Sequence, residues 1–150
     1  MMDIATFADN LAQSISGSAL MDLEYEGGFL TLECRVVMIP RHEMLTGDKL
    51  HGVVTPHADR TEPAARGGMR SVSYDLDLGL IKVCKESEIP KLLRLAHDVR
   101  DRLLWRELGG FTCMSSVSTL LYSPEIWLET GAFLSVITMN WRAYENVRRR

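Results

Sequence analysis

Hydrophobic residues recur at helical spacing in two segments of the chain. Between residues 3 and 16, apolar residues follow the i, i+3, i+4, i+7 order of a helix with one buried face, and Asp3 stands where it can cap the first turn. Between residues 88 and 106, an apolar stripe runs from Leu92 to Leu103, and Ser87 is the expected N-cap. The pattern therefore predicts two amphipathic helices.

Alternation of apolar and polar residues predicts strands elsewhere. The clearest case is M-R-S-V-S-Y-D-L-D-L-G-L-I-K-V, where leucine and aromatic side chains point one way and serine and aspartate side chains point the other. This is typical of a strand with one exposed face. The predicted strands cover residues 29–39, 69–83, 112–122 and 132–144.

The segment from residue 41 to residue 68 lacks a regular pattern. It contains Pro56, Pro63 and several glycines, and only residues 50–55 suggest a short strand. Connections have a median length of about 4–6 residues, so a loop this long is typically functional or disordered. The predicted fold is therefore α+β: a two-layer arrangement with a mainly antiparallel sheet of about four strands packed against two helices, and a long loop between the first two strands.

Composition narrows the class of protein. The chain has 150 residues, of which 46% are hydrophobic and 25% are charged, and these values predict a single globular domain over residues 1–150. The net charge of −3 offers no broad basic surface for a nucleic-acid duplex, and the only strongly basic run lies in a tail over residues 145–150.

The cysteines, the first residues and the lengths of the apolar runs indicate the cellular compartment. Cys34, Cys84 and Cys113 are odd in number and show no C-x-x-C spacing, which argues against both a disulfide framework and a zinc knuckle. The first residues lack a basic region followed by an apolar run, and no apolar run reaches about 18 residues. We therefore expect an intracellular protein without a signal peptide or a membrane-spanning helix.

Two sets of residues are candidates for a metal site or for acid–base catalysis. His42, His51 and His57 lie in the 41–68 segment with several carboxylates, but their spacing matches no established metal-ligand pattern, so an exposed polar loop is favoured. Asp75 and Asp77 lie two positions apart on a predicted strand, so both carboxylates point to one face. Their serine neighbours favour a solvated contact surface over an acid–base pair.

The layout as a whole gives a further indication. The chain contains V-V-M-I-P, then S-V-S-Y-D-L-D-L, A-H-D-V-R-D-R-L-L, Y-S-P-E, E-T-G-A-F and finally F-L-S-V-I-T-M-N-W-R. In the order of these motifs and in their residues, the segment 3–144 resembles the tail terminator (tail-completion) family of tailed bacteriophages. The resemblance implies a non-enzymatic subunit, without metal or cofactor, that forms a six-fold ring on the tail tube, stops tail elongation and joins the tail to the head.

The resemblance also implies binding partners and a location in the phage particle. The partners would be further copies of the chain in a hexamer, the tail tube protein, the head-side connector or neck protein, a sheath protein where the tail has one, and genomic DNA passing unbound through the lumen. The protein would assemble in the host cytoplasm and reside at the head–tail junction of the virion. Asp75 and Asp77 are the predicted lumen-facing residues. The predicted interface residues of the 41–68 segment are Arg41, His42, Asp48, Lys49, His51, His57, Arg60 and Arg66.

Three alternatives stay open at this point. Another neck, head-completion or minor tail protein would share the size and the general layout. A small α+β adaptor module would be a stable monomer that uses the 41–68 segment to recognise one partner. A small enzyme would use the histidines of that segment with Asp59 or Glu62.

Overall fold

The residues that the structure describes form three α-helices and eight strands. The computed structural model describes residues 2–16, 24–25, 28–29, 33–36, 49–63 and 68–146. The helices are α1 (Ile4–Ser16), α2 (Ile89–Leu103) and α3 (Pro124–Thr130), and a turn of 3-10 helix (Glu86–Glu88) precedes α2. The strands are β1 (Glu24–Tyr25), β2 (Gly28–Phe29), β3 (Glu33–Val36), β4 (His51–Pro63), β5 (Met69–Val83), β6 (Glu107–Leu108), β7 (Phe111–Leu120) and β8 (Ala132–Asn146).

Six of the strands form one mixed sheet. Their order is β3-β4-β5-β8-β7-β6, and the sheet curls into a half-barrel. Strand β3 runs parallel to β4, whereas every other neighbouring pair is antiparallel. The central strands are long: β5 pairs with β8 from Met69 opposite Asn146 to Val83 opposite Ala132. Strands β1 and β2 pair separately as a small antiparallel sheet.

Helix α1 begins as the sequence predicts. The Asp3 carboxylate accepts a hydrogen bond of 2.7 Å from the backbone N–H of Thr6, and this bond lowers the pKa of Asp3. The side chains that follow at helical spacing are buried, and α1 packs on β3 and β4. At its end, the Ser16 hydroxyl donates to the carbonyl of Cys34 and accepts from its N–H, at 3.0 and 2.8 Å. This pair of bonds fixes the helix end to strand β3.

Helix α2 starts differently from the prediction. Ser87 lies within the 3-10 turn, and the N-cap position is Glu88, whose side chain makes no capping bond. The Glu88 carboxylate instead accepts a bond of 2.8 Å from the ammonium of Lys82, a buried residue at the end of β5. The start of the helix is thus held by an ion pair to the sheet, and the predicted Ser87 cap is wrong. Helix α2 packs on β7 and β8.

An aromatic cluster lies at the centre of the core. Phe7 of α1 contacts Tyr74, Phe111 and Trp141, with ring centroids 5.7, 4.9 and 5.3 Å away, and Tyr74 stacks on Phe111 at 4.7 Å. All four side chains are buried. The cluster joins α1 to β5, β7 and β8, so aromatic packing connects the N-terminal helix to the last strand of the sheet.

The predicted fold class is wrong. The sheet has six strands rather than about four, it is mixed, and three helices rather than two are present. The main cause is β4, which occupies the middle of the segment predicted as a long loop. A register shift between Pro56 and Ala58 interrupts its alternation, and prolines inside a segment argue against a strand unless it lies at an edge. Residues 41–48 and 64–67 of that segment lie outside the described residues.

Helix α3 was also missed. Ser123 caps it by accepting a bond of 3.3 Å from the N–H of Ile126, and Pro124 follows in the first turn. Gly131 ends the helix in the left-handed conformation, with φ 71°. The Trp127 indole N–H donates to the carbonyl of Cys84 at 3.3 Å, which holds the helix against the end of β5.

Candidate interaction face of the sheet

One face of the large sheet is not covered by α1 or α2. Alternate residues of β5 and β8 enter the core with the two helices, so the residues between them point to the opposite side. We call this side the open face. Its polar residues come from four neighbouring strands and include His57, Arg60, Ser73, Asp75, Asp77, Thr119, Thr138, Asn140 and Arg142.

Asp77 is the centre of one row of contacts across the open face. One carboxylate oxygen lies 2.5 Å from Nε2 of His57 on β4, and the other accepts a bond of 2.7 Å from the hydroxyl of Thr138 on β8. The Thr138 hydroxyl lies 3.0 Å from that of Thr119 on β7. The row therefore spans four strands. His57 remains half exposed at 51%, whereas Asp77 is only 23% exposed.

Asp75 is the centre of a second, parallel row. Its carboxylate accepts from the Arg60 guanidinium at 3.2 Å and from the side-chain amide of Asn140 at 2.7 Å. Beyond it, Nε of Arg142 donates to the hydroxyl of Ser73 at 3.2 Å. Each aspartate thus has a basic residue on β4 and a neutral hydrogen-bond donor on β8. The Asp75 carboxylate is therefore paired with a guanidinium, and both oxygens of the Asp77 carboxylate have hydrogen-bonding neighbours within the face.

The other half of the open face is apolar. Val53 of β4 lies opposite Gly79, Gly79 lies opposite Val136, and Val136 lies opposite Leu120 of β7. A methyl group of Leu134 comes within 4.0 Å of where a Gly79 side chain would begin. The Val53 Cβ atom lies 3.9 Å from the same position, and Val53 is only 5% exposed. The open face is therefore divided along the strands into a polar half and an apolar half.

The sequence-predicted residues fall into three groups. Asp75, Asp77, His57 and Arg60 come together in the two polar rows. Lys49 is exposed just before β4, and His51 is half buried at its first position, opposite Ile81. The predicted interface residues Arg41, His42, Asp48 and Arg66 lie outside the described residues.

Within the described residues, the alternative pairing of His57 with Asp59 is not formed. His57 contacts Asp77 rather than Asp59, since Asp59 lies opposite Tyr74, whose side chain enters the core. In the described part of the chain, no group of three or more histidine, cysteine or acidic side chains is placed to hold a metal ion. Burial raises the pKa of the Cys34 and Cys113 thiols to about 12, so neither forms a thiolate at neutral pH.

The partners of the aspartates on β8 were missed from the sequence. Thr138, Asn140 and Arg142 alternate with the buried Met139 and Trp141, and this alternation was visible as T-M-N-W-R. It indicates a strand with one polar face. The missing information was the register, because only the pairing of Asp77 with Thr138 and of Asp75 with Asn140 identifies the partners.

Comparison with known proteins adds no relative. No protein-family model matches the chain, and no curated protein is significantly similar to it. Among the helices that the structure describes, none combines the length and the apolar character needed to cross a membrane.

Proposed function

We propose that this chain is a non-enzymatic structural protein of tailed bacteriophages, a tail terminator whose ring caps the tail tube and joins it to the head-side connector. The resemblance over residues 3–144 suggests the family. The observation that carries the proposal is the pair of hydrogen-bonded polar rows on the open face, centred on Asp75 and Asp77.

The rows suit the wall of a channel for DNA. A surface that retains DNA places uncompensated lysine and arginine side chains against the phosphates. Here Arg60 is paired with Asp75, and the carboxylate of Asp77 lies beside His57. A polar face that presents two carboxylates and few unpaired cations offers phosphates little to bind. Such a face lining the lumen lets the genome pass without being held.

Disruption of the gene tests the proposed role. In the phage genome that carries it, we expect electron microscopy of lysates to show DNA-filled heads separate from tail tubes of abnormal length. Free tubes arise because nothing stops their growth or connects them to heads. Normal, joined particles in the disrupted strain would contradict the proposal.

A charge reversal tests the channel wall. Complementation with Asp75→Lys/Asp77→Lys should restore joined particles but impair DNA passage, because the new cations bind phosphate. The matched control is Asp98→Lys/Asp101→Lys, which makes the same change in charge on the exposed side of α2. Normal DNA delivery by the first variant would remove the open face from the lumen.

A further inference from the structure

Trp105 is a large side chain held out in solvent. It is 62% exposed, and its backbone adopts the left-handed conformation with φ 68°, which is rare for a bulky residue. The Trp105 N–H donates to the carbonyl of Cys113 at 2.8 Å, and the N–H of Arg106 donates to the carbonyl of Leu103 at 3.1 Å. These bonds hold the unfavourable conformation. Retained strain of this kind is concentrated at functional positions.

Basic residues flank Trp105. Arg102 is exposed on the last turn of α2, and Nε of Arg106 donates to the Arg102 carbonyl at 3.0 Å, which keeps the second guanidinium beside the helix end. We call Arg102, Trp105 and Arg106 the Trp105 patch. Tryptophan and arginine are the residues most enriched among the energetic centres of protein interfaces.

A second exposed apolar patch is formed by residues of α3 and by Leu121, three residues before the helix, and it carries the opposite charge. Leu128 is 76% exposed and Leu121 is 47% exposed. Glu125 and Glu129 are exposed one helical turn apart on either side of Leu128. We call Leu121, Glu125, Leu128 and Glu129 the α3 patch. Both patches combine exposed apolar side chains with charged ones. The negative charge of the α3 patch is complementary to the positive charge of the Trp105 patch.

The two patches lie at opposite ends of strand β7. Trp105 is bonded to Cys113 near the start of the strand, whereas Leu121 follows its last residue. At about 3.4 Å per residue, the stretch from Cys113 to Leu120 spans roughly 24 Å. The two patches of one molecule are therefore too far apart to cover each other. A second copy brings the complementary patch to each.

We propose that the Trp105 patch of one copy docks on the α3 patch of a second copy. A contact between two different patches repeats head to tail, and it closes into a ring when the rotation between copies permits. This inference rests on the proposed function, in which the chain works as a ring. It names the surfaces through which neighbouring copies meet.

Self-association of purified variants tests this docking. Sedimentation velocity and native mass spectrometry over a concentration series should show the unaltered chain assembling into more than two copies. Trp105→Ala and Leu128→Asp should each weaken association by about tenfold or more, because each removes the apolar centre of one patch. The matched control is Tyr144→Ala, which removes an aromatic side chain of similar exposure, 57%, outside both patches.

Mixing the two variants identifies the pairing. Each variant keeps the patch that the other lacks, so an equimolar mixture of Trp105→Ala and Leu128→Asp should form a one-to-one complex that neither forms alone. Circular dichroism of each variant should match that of the unaltered chain, since both side chains are exposed.

Three results would overturn the docking. These are a monomer at every concentration, a closed dimer of the unaltered chain, or a larger oligomer that neither substitution weakens. The last result would be compatible with a ring and would reject only these two surfaces. The gene-disruption phenotype decides the proposed function separately, because it does not depend on which surfaces meet.

Discussion

The two faces of strand β5 show how one segment serves two purposes. Leu76 and Leu78 point into the core and are fully buried, whereas Asp75 and Asp77 between and beside them point to the open face. The covered face is held by close packing among helices and sheet. The open face is held by directed hydrogen bonds between strands. A shift of one residue in the pairing of β5 would move the leucines to the open face and the aspartates into the core. The contacts on both faces therefore favour the same register.

The two faces differ in what they contribute to stability. Burying a leucine side chain contributes about 1.5–3 kcal/mol, whereas an exposed ion pair contributes about 0–1 kcal/mol. The covered face should therefore determine whether the chain folds, and the open face should determine its surface chemistry. The predictions below test this division.

The largest expected effect lies in the aromatic cluster. Phe7→Ala should lower the free energy of unfolding by about 3–5 kcal/mol, because it leaves a cavity among three aromatic rings. Urea denaturation followed by tryptophan fluorescence measures the change. Tyr144→Ala on the open face should change it by less than about 0.5 kcal/mol. Equal losses in the two variants would contradict the division between the faces.

An intermediate effect is expected at the ion pair between the buried Lys82 and Glu88. Glu88→Gln should lower the free energy of unfolding by about 1–2 kcal/mol at pH 7, because it removes the negative charge 2.8 Å from the buried Lys82 ammonium. The Lys82 ammonium also lowers the pKa of Glu88 below its ordinary value of 4.5. The ionised carboxylate therefore stabilises the fold above that value, and this contribution is lost as the pH falls through the lowered pKa.

The pH dependence distinguishes an ion pair from simple packing. The difference in unfolding free energy between the unaltered chain and Glu88→Gln should shrink as the pH falls from 7 through the lowered pKa of Glu88, where the carboxylate becomes protonated. The lowered pKa of Asp3 acts in the same direction in both proteins and cancels in the difference. A difference that stays constant with pH would show that Glu88 acts through its shape rather than its charge.

The smallest effect is expected on the open face. Asp77→Ala should lower the free energy of unfolding by about 0.5–1.5 kcal/mol, because Thr138 and His57 lose an acceptor but stay accessible to water. A double-mutant cycle with His57→Ala isolates the pair, whose coupling should be about 1 kcal/mol or less. A coupling above about 3 kcal/mol would place the row among the main stabilising elements of the fold.

Regular alternation could be interpreted from the sequence alone. The prediction for residues 69–83 matches β5, and that for residues 3–16 agrees with α1 to within a residue. In both segments, one face is apolar at every expected position, so periodicity alone is informative. The common face of Asp75 and Asp77 followed from the same alternation.

Interrupted patterns could not be interpreted in this way. In β4, the bulge at His57 shifts the alternation, and every residue from His57 to Pro63 is exposed, so no apolar face marks the outer half of the strand. It is held by pairing with β5, which is a property of the sheet rather than of the segment. Helix α3 did have local signals, since Ser123-Pro124 and Gly131 bound it, but its seven residues are too few for a clear apolar stripe.

The pairing of β5 has a consequence for synthesis of the chain. Its partner β4 immediately precedes it, but its other partner, β8, begins only at Ala132 and ends opposite Met69 with Asn146. On the ribosome, one edge of the central strand therefore stays unpaired until residues 132–146 have emerged. Long-range pairing of this kind slows folding and exposes an edge to other chains. A nascent chain stopped before Ala132 should be the species that chaperones bind most strongly.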